Sequence, residues 1–447
     1  MSRLVGIDAA RAVGALLLAG VVAGCSGAAA PSPSAPPLLR VGVVLPLSGM
    51  PAQLAGQERL GIQLAADLVN ADGGVKGRRL ALDVRDLSDG TQAANVVAQL
   101  KAEGVSVIVG SYASDLSMAV SSAAANAGLV YWESGAVADR LTGRGLPLVF
   151  RVGADGARLG ANSATFASTV LAPLLGKTAT TLRVTIVAAT DDYARSVADA
   201  AQAGIATTGA APADRIDYSL SVPDWPSVLE KLVASAPDVV ILAAHIPDGE
   251  AFRRAMIAAN VHVGALIGST MAQCVGDFGE ELGPDAVGVF ASDRPTGGFN
   301  PGALQPAALA LYDRFAAVWA KANGSPQPTE EGLAGFTAAW ALFHDVLPNA
   351  ASPDDPASIA AAARAVDLPE GSLPNGSGLR FATDPARLGQ NELADAVVWQ
   401  WQPAIAATMA AGASGSAAAA ATPQSVTVWP AQFASGSIDP ALVPLPR

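Results

Sequence analysis

From residue 39 to residue 268, strand-like runs of aliphatic and β-branched residues take strict turns with amphipathic, helix-like stretches, which leaves few architectures open. The runs fall at 40–45, 80–86, 105–109, 129–132 and 148–152. The helical patterns between them cover 58–70, 91–103 and 114–126, with Leu64, Leu68, Val96, Val97 and Leu100 at inward spacing. Such alternation implies an α/β lobe: a doubly wound parallel sheet, covered on both faces and joined by right-handed crossovers. The rhythm restarts after Val152, with strands expected at 183–188, 215–218, 238–243 and 265–268 and helices at 157–175, 193–207, 225–235 and 249–260. Two lobes of this kind, joined by strands running directly between them, place a ligand cleft beyond the carboxyl ends of both sets of strands. Further helices (304–323, 331–347) and strands (378–381, 396–402, 425–428) imply that the chain crosses between lobes more than once. The expected division is 39–153 plus about 286–375 in lobe 1, and 154–285 plus about 376–402 and 424–434 in lobe 2, with a low-complexity loop at 403–423 and a tail at 435–447.

The N-terminus reads as an address. Arg3 and Arg11 precede an uncharged apolar run at 12–22, which is short of the ~20 residues a bilayer-crossing helix needs. Val22-Ala23-Gly24-Cys25 resembles a bacterial lipobox, which implies cleavage of 1–24, a diacylglycerol on Cys25 and a membrane tether outside the cell. An ordinary cleaved signal with a chance cysteine is the alternative. Residues 25–38, rich in Pro, Ser and Ala, read as a flexible tether. Charged residues make up only 15% of the chain and the net charge is −12, which argues against nucleic acid or anionic lipid as a partner held by charge. Three histidines and two cysteines give neither zinc spacing nor a disulfide framework, so no metal is expected. The P-loop, the dinucleotide fingerprint and the G-x-S-x-G elbow are absent, so neither a cofactor nor an enzyme is expected.

Several segments resemble the branched-chain amino acid binding proteins of ABC importers, which have the type I periplasmic binding protein fold. These are the opening Val41-Gly42-Val43-Val44-Leu45-Pro46-Leu47-Ser48-Gly49, the helix 61–70 followed by Asp72-Gly73-Gly74-Val75-Lys76-Gly77-Arg78, and Val107-Ile108-Val109-Gly110-Ser111 and Phe150-Arg151 further on. The resemblance implies a monomeric extracytoplasmic receptor, here in lipoprotein form on the cell membrane, that captures an amino acid or amide-like solute and delivers it to ABC permease subunits. A sensory receptor of the same fold is the alternative, and a hydrolase using Glu133 and His245 is a more distant rival.

Carried over residue by residue, the family's ligand serine matches Ser114, at a helix N-terminus suited to a carboxylate. The small residue offering backbone groups matches Gly135, and the lobe-two tyrosine matches Tyr193. The sequence departs from the pattern elsewhere: a hydroxyl position is Val137, a second tyrosine is His245, an early-loop tyrosine is Leu54, and the acid that pairs with the ammonium is Thr270. A buried ammonium lacking a carboxylate is expensive to desolvate, so either the ligand differs or another acid substitutes. Glu133, at a strand end, is the candidate substitute, or else a solvated turn glutamate. Tyr112 and Trp132 follow adjacent strands and either stack on a ligand or cap the core. Cys274 is expected to be a small buried hydrophobe.

Overall fold

The structure is a computed structural model that describes residues 38–49, 51–211, 213–269, 276–404 and 422–446. Cys25, Thr270, Cys274 and most of the low-complexity loop lie outside the described residues.

Five parallel strands form the first sheet: β1 (Leu39–Leu45), β2 (Leu80–Asp86), β3 (Val107–Gly110), β4 (Val130–Glu133) and β5 (Val149–Arg151), in the order β2-β1-β3-β4-β5. Helices α1 (Ala52–Ala71), α2 (Ala93–Ala102) and α3 (Ser114–Ala127) supply the crossovers. The second lobe opens with α4 (Gly156–Phe166) and the single turn α5 (Ala172–Leu174), and then repeats the plan. Its strands are β6 (Val184–Ala189), β7 (Asp214–Tyr218), β8 (Val239–Ala243), β9 (Ala265–Ser269) and β10 (Phe290–Asp293). Its helices are α6 (Asp192–Thr207), α7 (Trp225–Ser235), α8 (Ile246–Ala258) and α9 (Gly276–Leu282). The order β7-β6-β8-β9-β10 reproduces that of the first sheet, so each sheet reverses direction beside its first strand, and there the carboxyl ends leave a crevice.

After β10 the chain returns to the first lobe through α10 (Pro306–Asn323), α11 (Glu330–Trp340) and α12 (Pro356–Ala365). A small ribbon, β11 (Asp367–Leu368) with β12 (Leu379–Arg380), follows. The chain then ends in the second sheet with β13 (Val397–Gln402), antiparallel to β10, and β14 (Gln424–Trp429). Two boundaries differ from the sequence division. Residues 290–293 belong to the second sheet, whereas 378–391 stay with the first: Phe381 packs on Trp132 and Phe150, and Arg151 N–H donates to Gly389 O at 2.9 Å.

Two pairs of closely packed helices fix the elements that face the crevice. A Cβ on Gly61 of α1 would lie 2.1 Å from Gly332 O, so these helices meet backbone to backbone at the first turn of α11. In the second lobe a Cβ on Gly160 of α4 would lie 2.1 Å from Val197 O, which sets the N-terminus of α6 in the same way. No helix among the described residues is long and apolar enough to cross a membrane.

Candidate functional site

A cavity of about 100 Å³ lies where the strand ends of the two lobes face each other. On the first lobe, β3 ends at Gly110 and the chain turns through Tyr112, whose φ of 69° is in the left-handed region that disfavours side chains other than glycine. Backbone held this way costs on the order of 1–3 kcal/mol and is typically kept where a neighbouring site requires it. The turn delivers Ala113 as the N-cap of α3. It provides no side-chain cap, so the first N–H groups of the helix, with their positive end of the dipole, face the cavity beside Ser114. Ser114 Oγ accepts a hydrogen bond from Ala138 N–H at 3.2 Å, which leaves its own proton to donate.

The loop after β4 is held from within. Glu133 Oε1 accepts from the N–H groups of Ser134, Gly135 and Ala136 at 2.8–3.0 Å, and its Oε2 accepts from Tyr131 Oη at 2.6 Å. Arg294, directly after β10, crosses from the other lobe and donates from Nη1 to Gly135 O at 2.7 Å and Ser134 O at 3.2 Å. Both backbone polar groups of Gly135 are therefore engaged by the protein. What Gly135 gives the cavity is the absence of a side chain, since a Cβ there would lie 2.3 Å from Glu58 Oε2.

Arg294 sits among carboxyls. Its Nε is 2.5 Å from Glu330 Oε1, at the start of α11, and 3.7 Å from Asp293 Oδ1. Burial works against the Arg294 charge, but Glu330, Asp293 and Glu58 outweigh it and hold the guanidinium above its ordinary pKa. Burial and then Glu133 push Glu58 up to about 8, burial pushes Glu331 to about 7, and burial raises Glu330 well above the usual carboxylate range.

The second lobe contributes Asp191, Tyr193 and His245. Asp191 caps α6, its Oδ1 accepting from Ala194 N–H at 3.0 Å. Tyr193 Oη donates to Ala244 O at 3.3 Å, and its ring lies 4.7 Å from that of His245. His245 is fixed by its backbone N–H, which donates to Asp248 Oδ1 at 3.0 Å. Contacts between the lobes flank the cavity: Asp139 N–H donates to Ser196 Oγ at 3.1 Å and Arg140 pairs with Asp192 at 2.6 Å.

Of the residues expected at a ligand, the structure brings Tyr112, Ser114, Gly135, Tyr193 and His245 to this one cavity. Trp132 does not reach it: fully buried, it packs on Phe150 and Phe381 and donates from Nε1 to Ala338 O at 2.8 Å. Glu133 is likewise fully buried and outside the cavity lining, because the loop N–H groups turn its carboxylate inward; it is neither a solvated turn residue nor a ligand acid. The sequence reading missed Asp115, Asp191, Asp293, Arg294 and Glu330. A strand immediately before Asp293-Arg294 was the available signal, and Glu330 had none.

A family model described as periplasmic binding protein matches residues 39–392. The chain belongs to that family. Among related periplasmic binding proteins, the Leu/Ile/Val-binding protein homolog 8 of Brucella abortus (strain 2308) is 29% identical over 366 residues, which is 81% of this chain and 88% of that protein. The leucine-binding protein LivK of Thermotoga maritima MSB8 superposes with a TM-score of 0.68 at 20% identity, covering 82% of this chain and 96% of that one. An ABC transporter solute-binding protein from R. palustris, in complex with benzoate, superposes with a TM-score of 0.65 at 17% identity, covering 90% and 98%. These structural likenesses establish the two-lobed type I fold, and the bound molecules named belong to those proteins.

Proposed function

We propose that this periplasmic binding protein captures one small polar solute outside the cytoplasm and hands it to an ABC permease, without altering it. The observation that carries the reading is a single cavity lined from both lobes, with Ser114 and the uncapped start of α3 on one side and Tyr193 and His245 on the other. A solute touching both walls gains its full set of contacts only when the lobes are together. That differential contact shifts the open–closed equilibrium toward closure, the signal a permease would read. The first turn of α3 and the Ser114 hydroxyl suit a carboxylate or other hydrogen-bond acceptor, while Tyr193 and His245 complete the cage. Attachment through a diacylglyceryl Cys25 would hold the receptor at the membrane surface.

Native mass spectrometry of the purified chain, followed by denaturing release, tests this. The expected result is one small molecule per chain, released unchanged, and a smaller radius of gyration by X-ray scattering when it is restored. Continuous turnover of the solute, or titration across a metabolite library with neither binding nor closure, would overturn it.

A further inference from the structure

The solute-capture reading leaves the charge of the solute open, and the cavity wall bears on it. Four carboxyl residues line the cavity, Asp115, Asp191, Asp293 and Glu330, against one guanidinium, Arg294. That guanidinium is ion-paired at its Nε with Glu330 and Asp293, without a hydrogen bond there, and donates from Nη1 to two carbonyl oxygens. Across the cavity Asp191 Oδ2 is buried and makes no hydrogen bond; it stands 3.8 Å from His245 Nδ1, which is also buried and unbonded. Asp115 lies on the side of the α3 N-terminus, where it opposes a purely anionic guest. A separate observation calls for a polar ligand atom here: Tyr112, only 4% exposed and lining the cavity, has a buried hydroxyl with no hydrogen-bond partner among the described residues. Asp191 Oδ2 is an acceptor that only a donor such as an N–H group satisfies, while Tyr112 Oη takes a polar atom of either kind.

From the excess of carboxyls, the unpaired Asp191 oxygen and the unpartnered Tyr112 hydroxyl we propose that the solute carries net positive charge, with at least one more basic nitrogen than carboxylate. Its ammonium or guanidinium is received between Asp191 on one side of the cavity and Asp293 and Tyr112 on the other. These residues are then the specificity determinants. A neutral aliphatic zwitterion leaves the wall undercompensated, and an aromatic carboxylate meets it with like charge.

The proposal rests on the solute-capture reading, and a panel separates the two. L-arginine, L-lysine, agmatine and putrescine are titrated by calorimetry against L-leucine, L-glutamate and benzoate, at 20 and 300 mM salt. The cations are expected to bind, to weaken only modestly at high salt because the pairs are buried, and to lose tenfold or more with Asp293→Asn. Asp191→Asn, which keeps the α6 cap, serves as the second variant should Asp293→Asn fold poorly. Binding of leucine, glutamate or benzoate while the cations fail would overturn the charge assignment and leave solute capture standing. Cation binding indifferent to both variants, or failure of all the cations, would also overturn it.

Discussion

Replacing Gly135 with alanine introduces a single methyl group at the most crowded point of the cavity wall. The new Cβ would lie 2.3 Å from Glu58 Oε2, 2.9 Å from Tyr112 Cδ2 and 3.0 Å from Tyr112 Cα. Neither neighbour has room to withdraw. Glu58 is fully buried with its Oε1 held by the Ser134 hydroxyl at 2.5 Å, and the Tyr112 contact includes backbone. Overpacking of this kind costs about 1–3 kcal/mol. With an unfolding entropy near 2.1 cal/mol/K per residue, a chain this long loses about 1 °C of Tm per kcal/mol, so a fall of about 1–3 °C is expected by differential scanning fluorimetry. Gly56→Ala is the control: it sits inside α1 with no atom within 4 Å of the new Cβ, and relief of helical glycine entropy should raise stability by about 0.5–1 kcal/mol. Gly135→Ala should also weaken solute binding at least tenfold. A Gly135→Ala protein as stable as the parent would refute the reasoning from close packing, whatever its affinity.

Trp132→Phe should lower stability by about 1–3 kcal/mol, because it removes one of the two hydrogen bonds to Ala338 O and leaves a space where the fully buried indole stood, yet leave solute affinity unchanged; an affinity loss in calorimetry would return Trp132 to the site. The buried carboxyls give stability a definite pH slope. Glu58, held near pH 8, keeps its proton in the folded state while the unfolded chain releases it near pH 4.5, so stability should fall as pH rises from about 4.5 to 8 and level off above. Glu58→Gln should flatten that slope in Tm measured across pH, and a slope as steep as the parent's would assign it to other groups. Arg140→Ala removes a pair with Asp192 whose arginine is 66% exposed, so a loss of about fivefold or less in solute affinity is expected; a hundredfold loss by titration would contradict a peripheral role.

The fold was legible because strict alternation of strand and helix admits few topologies, and the second lobe repeats the first. Ser114, Tyr193 and His245 could be placed at one cavity because each directly follows or opens an element at a strand's carboxyl end, where this topology gathers its loops. Trp132 was misplaced because a four-residue strand does not declare which face looks at the ligand, and here that residue faces α11. Glu133 was misplaced for a different reason: its carboxylate is consumed by three consecutive backbone N–H groups, a local arrangement with no sequence signature. Asp293 and Arg294 were overlooked because β10 is short and is recruited by pairing with β13, about a hundred residues later. Glu330 reaches the site through the close packing of α1 on α11, at Gly61 and Gly332 and again at Glu58 and Gly335, which joins distant parts of the chain.

The central claim, that one guest is clasped between the two lobes, is tested most directly by a crystal structure of the chain with its co-purified solute retained. The account predicts density for a single small molecule touching the first turn of α3 at Ser114 and the Tyr193–His245 pair at once. Density confined to one lobe, a guest bound elsewhere, or the cavity filled by the protein's own side chains would contradict it.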